Sequence, residues 1–276
     1  MKQIIKTIFE TSLNKKCRTA YKIENGFNND NYAINDAYVL RIPKENKDET
    51  ITYINEEKIY KAIAPLNISE KVLYFDTNTG YKISKFVHGS REYITSPNKE
   101  QLTYVAKTLK KLHKSEISVD FGYQMFYKLK VYKNELSSEV YIEEKVENKI
   151  IDALKKILSK DKMVLCHNDL VKNNLLFKDN GVVIIDWEYA SMNNPYFDLA
   201  SFISENELDE DRANFFLSKY FGAKLNQSKK RKVQIFIDFI DLLMYYWGLY
   251  LYKKRGDRVY YNIAISKLKH LTLTKN

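Results

Sequence analysis

The chain is poor in the residues that form cross-links, linkers and tight turns. It holds two cysteines, eight glycines and four prolines among 276 residues. Cys17 and Cys166 are too few for a disulfide framework, and so little glycine and proline leaves no room for a flexible linker. No apolar run reaches the roughly 18 residues that a membrane span requires. We therefore expect a globular, cytoplasmic protein with no membrane span.

Positive charge is in excess, with a formal net charge of +10, and lysine is spread along the chain. The densest basic run, Lys229–Lys232, precedes a predicted helix and is typical of a solvated face. Because no nucleic-acid-binding motif accompanies the charge, we expect no nucleic-acid partner. A small-molecule substrate and a monomer or homodimer fit the sequence better.

The periodicity of the chain changes near residue 90. Strand and turn signals dominate before it, and helical spacing dominates after Pro97. The predicted strands are Cys17–Ile23, Asn31–Ile34, Tyr38–Ile42, Val72–Phe75 and Gly80–Val87. The predicted helices are the amphipathic N-terminus, Thr50–Ala64, Lys99–His113, Glu143–Leu158, Leu199–Glu205, Glu210–Tyr220, Lys229–Lys254 and Val259–His270. The pattern predicts an α+β protein with a small β-rich lobe, 1–87, and a larger helical lobe, 88–276.

One short segment concentrates the chemistry. It reads H-N-D-L-x-x-x-N from His167, followed by a β-branched run and then I-D-W-E. Phosphoryl transfer from ATP needs a carboxylate at the accepting hydroxyl, and an amide oxygen and a second carboxylate on Mg²⁺. Asp169 fits the first role, and Asn174 and Asp186 fit the second. His167 is expected to brace the loop.

The stretch between these residues predicts a β-hairpin. Gly181–Ile185 is continuous, apolar and β-branched behind an Asp-Asn-Gly turn, and Leu175–Phe177 is its expected partner. Such a hairpin brings Asp186 back beside Asn174.

The segment resembles the kinase-like small-molecule phosphotransferases, which include aminoglycoside phosphotransferases and choline/ethanolamine kinases. Within them, I-D-W-E-Y-A-S-x-N-x-x-x-F-D-L-A at Ile185–Ala200 resembles bacterial Lic-type choline kinases. The resemblance implies a bilobal protein-kinase-like fold, ATP and Mg²⁺ as cofactors, and transfer of the γ-phosphoryl group to the hydroxyl of choline.

The resemblance also implies the nucleotide side of the site. Gly26–Ile34 stands where the phosphate loop belongs, with one glycine and with Asn28 and Asn29 as side-chain donors. Arg41 replaces the usual lysine of the phosphate-binding strand. Its partner is expected to be Glu56, with Glu57 as a rival. Lys85, Phe86 and Val87 match the hinge, whose backbone would bind adenine.

The acceptor side is implied by an aromatic helix, where Trp247-Gly248-Leu249-Tyr250 resembles a W-G-L-W element. Aromatic faces suit a quaternary ammonium. The expected acceptor residues are Tyr189, Glu205, Trp247, Tyr250 and Tyr261. With 22 tyrosines and 14 phenylalanines in the chain, core packing is the competing interpretation of this helix.

The chain departs from the family at three positions, and these leave the acceptor open. Tyr250 replaces a common second tryptophan, Val171 stands where animal enzymes carry glutamine, and Lys172 follows Asp169 by three residues. Ethanolamine, thiamine and an aminoglycoside are alternative acceptors. A kinase-like binding module without activity is the non-enzymatic alternative.

Overall fold

A computed structural model gives the structure of residues 2–23, 28–44, 51–91, 96–136 and 142–273. The chain forms two compact units, each made of two stretches of sequence. The sheet unit comprises Met1–Ile117 and Lys172–Ala190, and the helical unit comprises Ser118–Val171 and Ser191–Asn276. The division into functional lobes at residue 87 stays a prediction, because these units group the residues by packing alone.

The expected combination of a β-rich part and a helical part is present among the described residues. The helices are α1 (Lys2–Leu13), α2 (Tyr53–Ile63), α3 (Lys99–His113), α4 (Met125–Asn134), α5 (Glu144–Leu158), α6 (Pro195–Glu205), α7 (Glu210–Phe221), α8 (Gln227–Arg255) and α9 (Arg258–Leu273). The strands are β1 (Ala20–Ile23), β2 (Asn29–Ile34), β3 (Tyr38–Pro43), β4 (Val72–Phe75), β5 (Lys82–Lys85), β6 (Val164–Cys166), β7 (Leu175–Lys178), β8 (Gly181–Ile184) and β9 (Ser191–Asn193).

The sheet unit is built on an antiparallel sheet of described strands in the order β1-β2-β3-β5-β4. One face carries a cluster of buried side chains that α1 covers with Ile5 and Phe9. The pairing of β3 with β5 places Arg41 opposite Lys82. The sheet therefore brings two cations side by side at the end of these strands.

The predicted hairpin is present as β7 and β8, which pair with Leu175 opposite Ile184. Its end is attached to the rest of the sheet unit, because Ile184 N–H donates to Ile68 O at 2.9 Å. The turn that follows, 187–189, is anchored by fully buried Trp187, whose indole N–H donates to Ile184 O at 2.8 Å. The hairpin and turn therefore hold the I-D-W-E segment in a fixed conformation.

The helical unit is organised around α8, which packs against α4, α5, α6 and α9. Asn226 caps its N-terminus by accepting from Lys229 N–H at 3.0 Å, and Gly256, in the left-handed region, ends it. Within the described residues, α8 alone is long and apolar enough to cross a membrane, by length and composition, and 56% of its most apolar window is buried inside the protein. Core helices pass the same test, so the lack of a membrane span stays a prediction.

Three elements were missed by the sequence patterns: α4, β6 and β9. The two strands have three residues each and are far apart in sequence, with Cys166 opposite Ser191. Such short pairings carry no periodicity of their own. The first two residues of the predicted phosphate loop, 26 and 27, lie outside the described residues.

Gly248 tests the packing of α8 against α9, because a Cβ at this position would lie 2.7 Å from Tyr260 O and 3.0 Å from Ala264 Cβ. Alanine normally stabilises a helix by about 1 kcal/mol over glycine. We expect Gly248→Ala to reverse that sign and lower the free energy of unfolding by about 1–2 kcal/mol through overpacking.

Urea denaturation measures the effect, and Gly181→Ala is the control because a Cβ there meets nothing within 4 Å. A Gly248→Ala protein more stable than the wild type would contradict the close approach of the two helices.

Candidate active site

The hairpin places Asn174 and Asp186 at the same end of β7 and β8, as the sequence predicts. Ile185 N–H donates to Asn174 O at 3.0 Å, and Asp186 follows directly. The backbone of Asp186 lies in the left-handed region, with φ 65°. That conformation is uncommon for a residue with a side chain and is often found at functional sites.

The carboxylate of Asp186 is poorly satisfied. Its side chain is 32% exposed overall, yet Oδ1 is buried and has no hydrogen-bond partner among the described residues. Its nearest cation is Arg41, with Nη1 3.6 Å away. Burial raises the pKa of Asp186, and Arg41 opposes that shift. A buried carboxylate oxygen without a hydrogen bond suits Mg²⁺, which prefers oxygen ligands.

Arg41 forms a two-bond ion pair with Glu56. Nη1 lies 2.5 Å from Oε1 and Nη2 lies 2.7 Å from Oε2. Burial disfavours the charge of Glu56, but Arg41 and Lys82 outweigh it, so the pKa of Glu56 lies below its ordinary value. The rival Glu57 instead pairs with Lys61 at 2.9 Å and is 30% exposed. Glu56 is therefore the partner of Arg41.

Lys82 is a second cation at this cluster that the sequence patterns missed. Its Nζ lies 2.9 Å from Glu70 Oε1 and 3.7 Å from Glu56 Oε1. It donates to Tyr60 Oη at 2.5 Å, and Tyr60 donates to Glu70 at 2.6 Å. Burial, reinforced by Glu70, raises the pKa of Tyr60 well above its usual value, so the phenol stays protonated. The alternation of polar and apolar residues in β5 gives no sign that Lys82 is buried.

Glu188 is the second functional candidate that sequence reasoning missed, although it stands in the I-D-W-E motif. It accepts hydrogen bonds from Asn28 Nδ2 at 2.6 Å and from Asn29 Nδ2 at 2.8 Å. Arg41 Nη1 lies 3.9 Å from it. Burial, and then the nearby charge of Asp186, raises the pKa of Glu188 to about 8. Two carboxylates this close favour a bound proton or a cation.

Asn28 also donates to Tyr189 Oη at 3.1 Å. The two predicted phosphate-loop asparagines are therefore bonded to the turn after β8. Tyr189 is the one predicted acceptor residue in the sheet unit.

In the helical unit, the loop that carries Asp169 is fixed by its backbone. His167 N–H and Asn168 N–H both donate to Asp198, at 2.9 and 2.8 Å. Leu170 N–H donates to Ser201 Oγ at 3.2 Å. His167 is fully buried and accepts from Asp169 N–H at 3.3 Å, as expected of a bracing residue.

Asn168 gives this loop its turn. Its φ is 66°, and its side chain bonds Ser191 Oγ at 3.0 Å and Asn193 Nδ2 at 2.8 Å. Asp198, which anchors the loop, belongs to the F-D-L part of the motif. The motif was visible in the sequence, but the role of Asp198 was not.

The other predicted acceptor residues lie in the helical unit, each with a partner of its own. Trp247 packs edge-on against Tyr260 at 5.6 Å between ring centroids. The ring of Tyr250 lies 5.1 Å from that of Tyr132, tilted by 37°, and the ring of Tyr261 lies 5.3 Å from that of Tyr252. Their grouping around one ligand stays a prediction.

Glu205 is paired with a lysine that the sequence patterns did not indicate. Lys267 Nζ lies 2.8 Å from Glu205 Oε1 and 3.1 Å from Asp241 Oδ1. Burial disfavours the charge of Lys267, but the two carboxylates outweigh it and raise its pKa. One lysine is therefore shared by two carboxylates within the helical unit.

The predicted hinge follows β5. Lys85 N–H donates to Lys71 O at 2.8 Å, and Phe86 N–H donates to Ala37 O at 2.9 Å. Val87 O accepts from Ser90 Oγ at 2.8 Å. These bonds fix the segment, and its contact with adenine stays a prediction.

Comparison with known proteins places these motifs in a family. The family model described as choline/ethanolamine kinase matches residues 19–241. Protein LicA of Haemophilus influenzae is 30% identical over 227 residues, which cover 76% of this chain and 65% of that protein.

Two solved structures share the fold. Choline kinase LicA from Streptococcus pneumoniae superposes with a TM-score of 0.83 at 20% identity, over 99% of both chains. Aminoglycoside 2'-phosphotransferase-IIIa, in its GDP complex, gives a TM-score of 0.71 at 14% identity over 100% of this chain and 99% of that one. The fold is therefore protein-kinase-like, as the sequence predicts.

The pairing of Arg41 with Glu56 rather than Glu57 can be tested by stability. Glu56→Gln removes one partner of a buried ion pair, which costs about 3–5 kcal/mol. Glu57→Gln removes an exposed pair worth about 1 kcal/mol or less. Urea denaturation of both variants gives the comparison, and equal losses would contradict the assignment.

Proposed function

Because the chain belongs to the choline/ethanolamine kinase family, we propose that it transfers the γ-phosphoryl group of ATP to the hydroxyl of choline. The family makes it a phosphotransferase acting on an alcohol. The products would be phosphocholine and ADP. The proposal depends most on one observation, the buried Asp186 Oδ1 without a hydrogen-bond partner among the described residues.

The roles of the charged residues follow from their surroundings. Asp186 and Asn174 would hold Mg²⁺, which neutralises phosphate charge when bound. Arg41, held in place by Glu56, presents a rigid guanidinium that can pair two phosphate oxygens. Asn28, Asn29 and the hinge backbone at 85–87 would contact the nucleotide.

Asp169 would orient the acceptor hydroxyl. As the hydroxyl oxygen bonds to the γ-phosphorus, the bond from that phosphorus to the bridging oxygen of ADP breaks. The hydroxyl proton passes to the Asp169 carboxylate. Because Asp198 and Ser201 fix the loop backbone, Asp169 is held in position before the substrate arrives. Most of the rate would come from positioning and charge neutralisation.

The acceptor ammonium would be bound by Tyr189, Glu205, Trp247, Tyr250 and Tyr261. Since Glu205 already pairs with Lys267, the aromatic faces would carry most of the selectivity. They favour choline, whose three methyl groups spread the charge over an apolar surface. Ethanolamine, which the family also covers, is the second candidate. An aminoglycoside would call for several free carboxylates. We place the protein in the cytoplasm.

Turnover with a panel of alcohols tests the reaction. With Mg²⁺ and ATP, we expect ADP release with choline to exceed that with ethanolamine, thiamine and kanamycin. Removal of Mg²⁺ with EDTA should abolish it. Asp186→Ala should lower kcat by about 10²–10³-fold or more, by the scale of lost transition-state charge stabilisation.

Glu57→Gln is the control and should keep wild-type kcat, because Glu57 pairs with Lys61 at the surface. Full activity of Asp186→Ala would remove the assigned metal site. A preference for another acceptor would keep the kinase and overturn choline as its substrate.

Trp247→Ala tests the aromatic recognition of the ammonium. Loss of one cation–π contact, about 0.5–2 kcal/mol, corresponds to a rise in KM for choline of about 2- to 30-fold. The rise should be smaller for ethanolamine, which binds better through hydrogen bonds. The control is Tyr127→Ala, which removes an exposed aromatic from α4. Equal changes in the two variants would contradict the role of Trp247.

A further inference from the structure

The side chain of Asn28 joins two parts of the sheet unit that are 160 residues apart in sequence. Its Nδ2 lies 2.6 Å from Glu188 Oε1 and 3.1 Å from Tyr189 Oη. On one side stands the segment before β2, which is expected to meet the phosphates. On the other stands the turn after β8, which follows Asp186.

The donors of Asn28 are fully used by these two bonds. A primary amide has two N–H donors, and one points to each partner. While both bonds hold, the side chain has no donor left for a phosphate oxygen. The role that fits Asn28 better than binding a phosphate oxygen is therefore to hold Glu188 and Tyr189 in place.

Asn29 provides a natural comparison. It is buried, and its Nδ2 donates to the other oxygen of Glu188 at 2.8 Å. Both asparagines thus bind Glu188, while Asn28 also binds Tyr189. Comparing variants of the two residues therefore separates the effect of the Glu188 contact from the effect of the Tyr189 contact.

We propose that Asn28 is a positioning residue that couples acceptor binding to nucleotide binding through the Tyr189 hydroxyl. The proposal rests on the proposed function, in which the ring of Tyr189 packs against the acceptor ammonium. A ligand on that ring fixes the hydroxyl, and the hydroxyl fixes Asn28. A nucleotide at Asn28 fixes the same bond from the other end.

The sign of the coupling between acceptor binding and nucleotide binding follows from the entropy cost of ordering Asn28. The first ligand bears the entropy cost of fixing Asn28, and the second finds it already fixed. Each ligand should therefore tighten the other, by the same factor in both directions. We expect a factor of about five or more, since measured couplings usually fall between about 5- and 150-fold.

The test measures the dissociation constant of choline by calorimetry, with and without a non-hydrolysable ATP analogue and Mg²⁺. Tyr189→Phe keeps the aromatic ring and removes only the hydroxyl. Its choline affinity without nucleotide should stay within about twofold of the wild type, while the ratio of the two dissociation constants falls toward one. Asn28→Ala should lose the ratio as well, and the double variant should lose no more than either single variant.

Asn29→Ala is the matched control, since it removes a bond to Glu188 and leaves the one from Asn28 to Tyr189. Its ratio should remain at the wild-type value, whatever its affinity for the nucleotide. Circular dichroism checks that each variant is folded, and the conservative Tyr189→Phe protects the test if Asn28→Ala does not fold. A wild-type ratio in Tyr189→Phe, or a ratio of one in the wild-type protein, overturns the proposal.

The two proposals fail in different ways. If the wild-type protein phosphorylates ethanolamine and not choline, choline as substrate is wrong, and the same ratio measured with ethanolamine still decides the coupling. If it phosphorylates choline with the ratio unchanged in both variants, the coupling alone is wrong. A wild-type protein that phosphorylates no alcohol of the panel overturns both.

Discussion

The site depends on an imbalance of buried charge in the sheet unit. Arg41 and Lys82 stand among four carboxylates, those of Glu56, Glu70, Asp186 and Glu188. The arrangement favours the charged form of Glu56, which both cations approach. It disfavours the charged forms of Asp186 and Glu188, whose pKa values rise. A protein keeps such a cluster when a ligand of positive charge completes it. A divalent ion beside Asp186 would remove the excess.

This imbalance also explains why Arg41 can replace a lysine. A guanidinium held by two bonds to Glu56 loses its freedom to swing, and its remaining face points toward Asp186 and Glu188. Lys82 then supplies the compact charge that Glu56 and Glu70 share. Together, Arg41 and Lys82 hold positive charge in place more rigidly than a single flexible side chain would.

Sequence alone predicted the parts of the molecule whose signals are local. The β7–β8 hairpin has a turn and a β-branched run, and α3 has apolar residues at helical spacing, so both were predicted closely. Lys82, Asp198 and Lys267 could not be predicted, because each is defined by partners distant in sequence. The choice of Glu56 over Glu57 needed the orientation of α2, since one position rotates a helical side chain by about 100°.

Helix α6 sets a distance in the helical unit. Asp198, in its first turn, holds the backbone of the Asp169 loop, and Glu205 ends the same helix. Seven residues of α-helix fix an axial separation of about 10 Å between these two positions. The helix therefore holds the loop and Glu205 at a fixed distance from each other. In the proposed site, an acceptor of different length could not be accommodated by sliding one against the other, so a change of substrate would fall to the side chains around this helix.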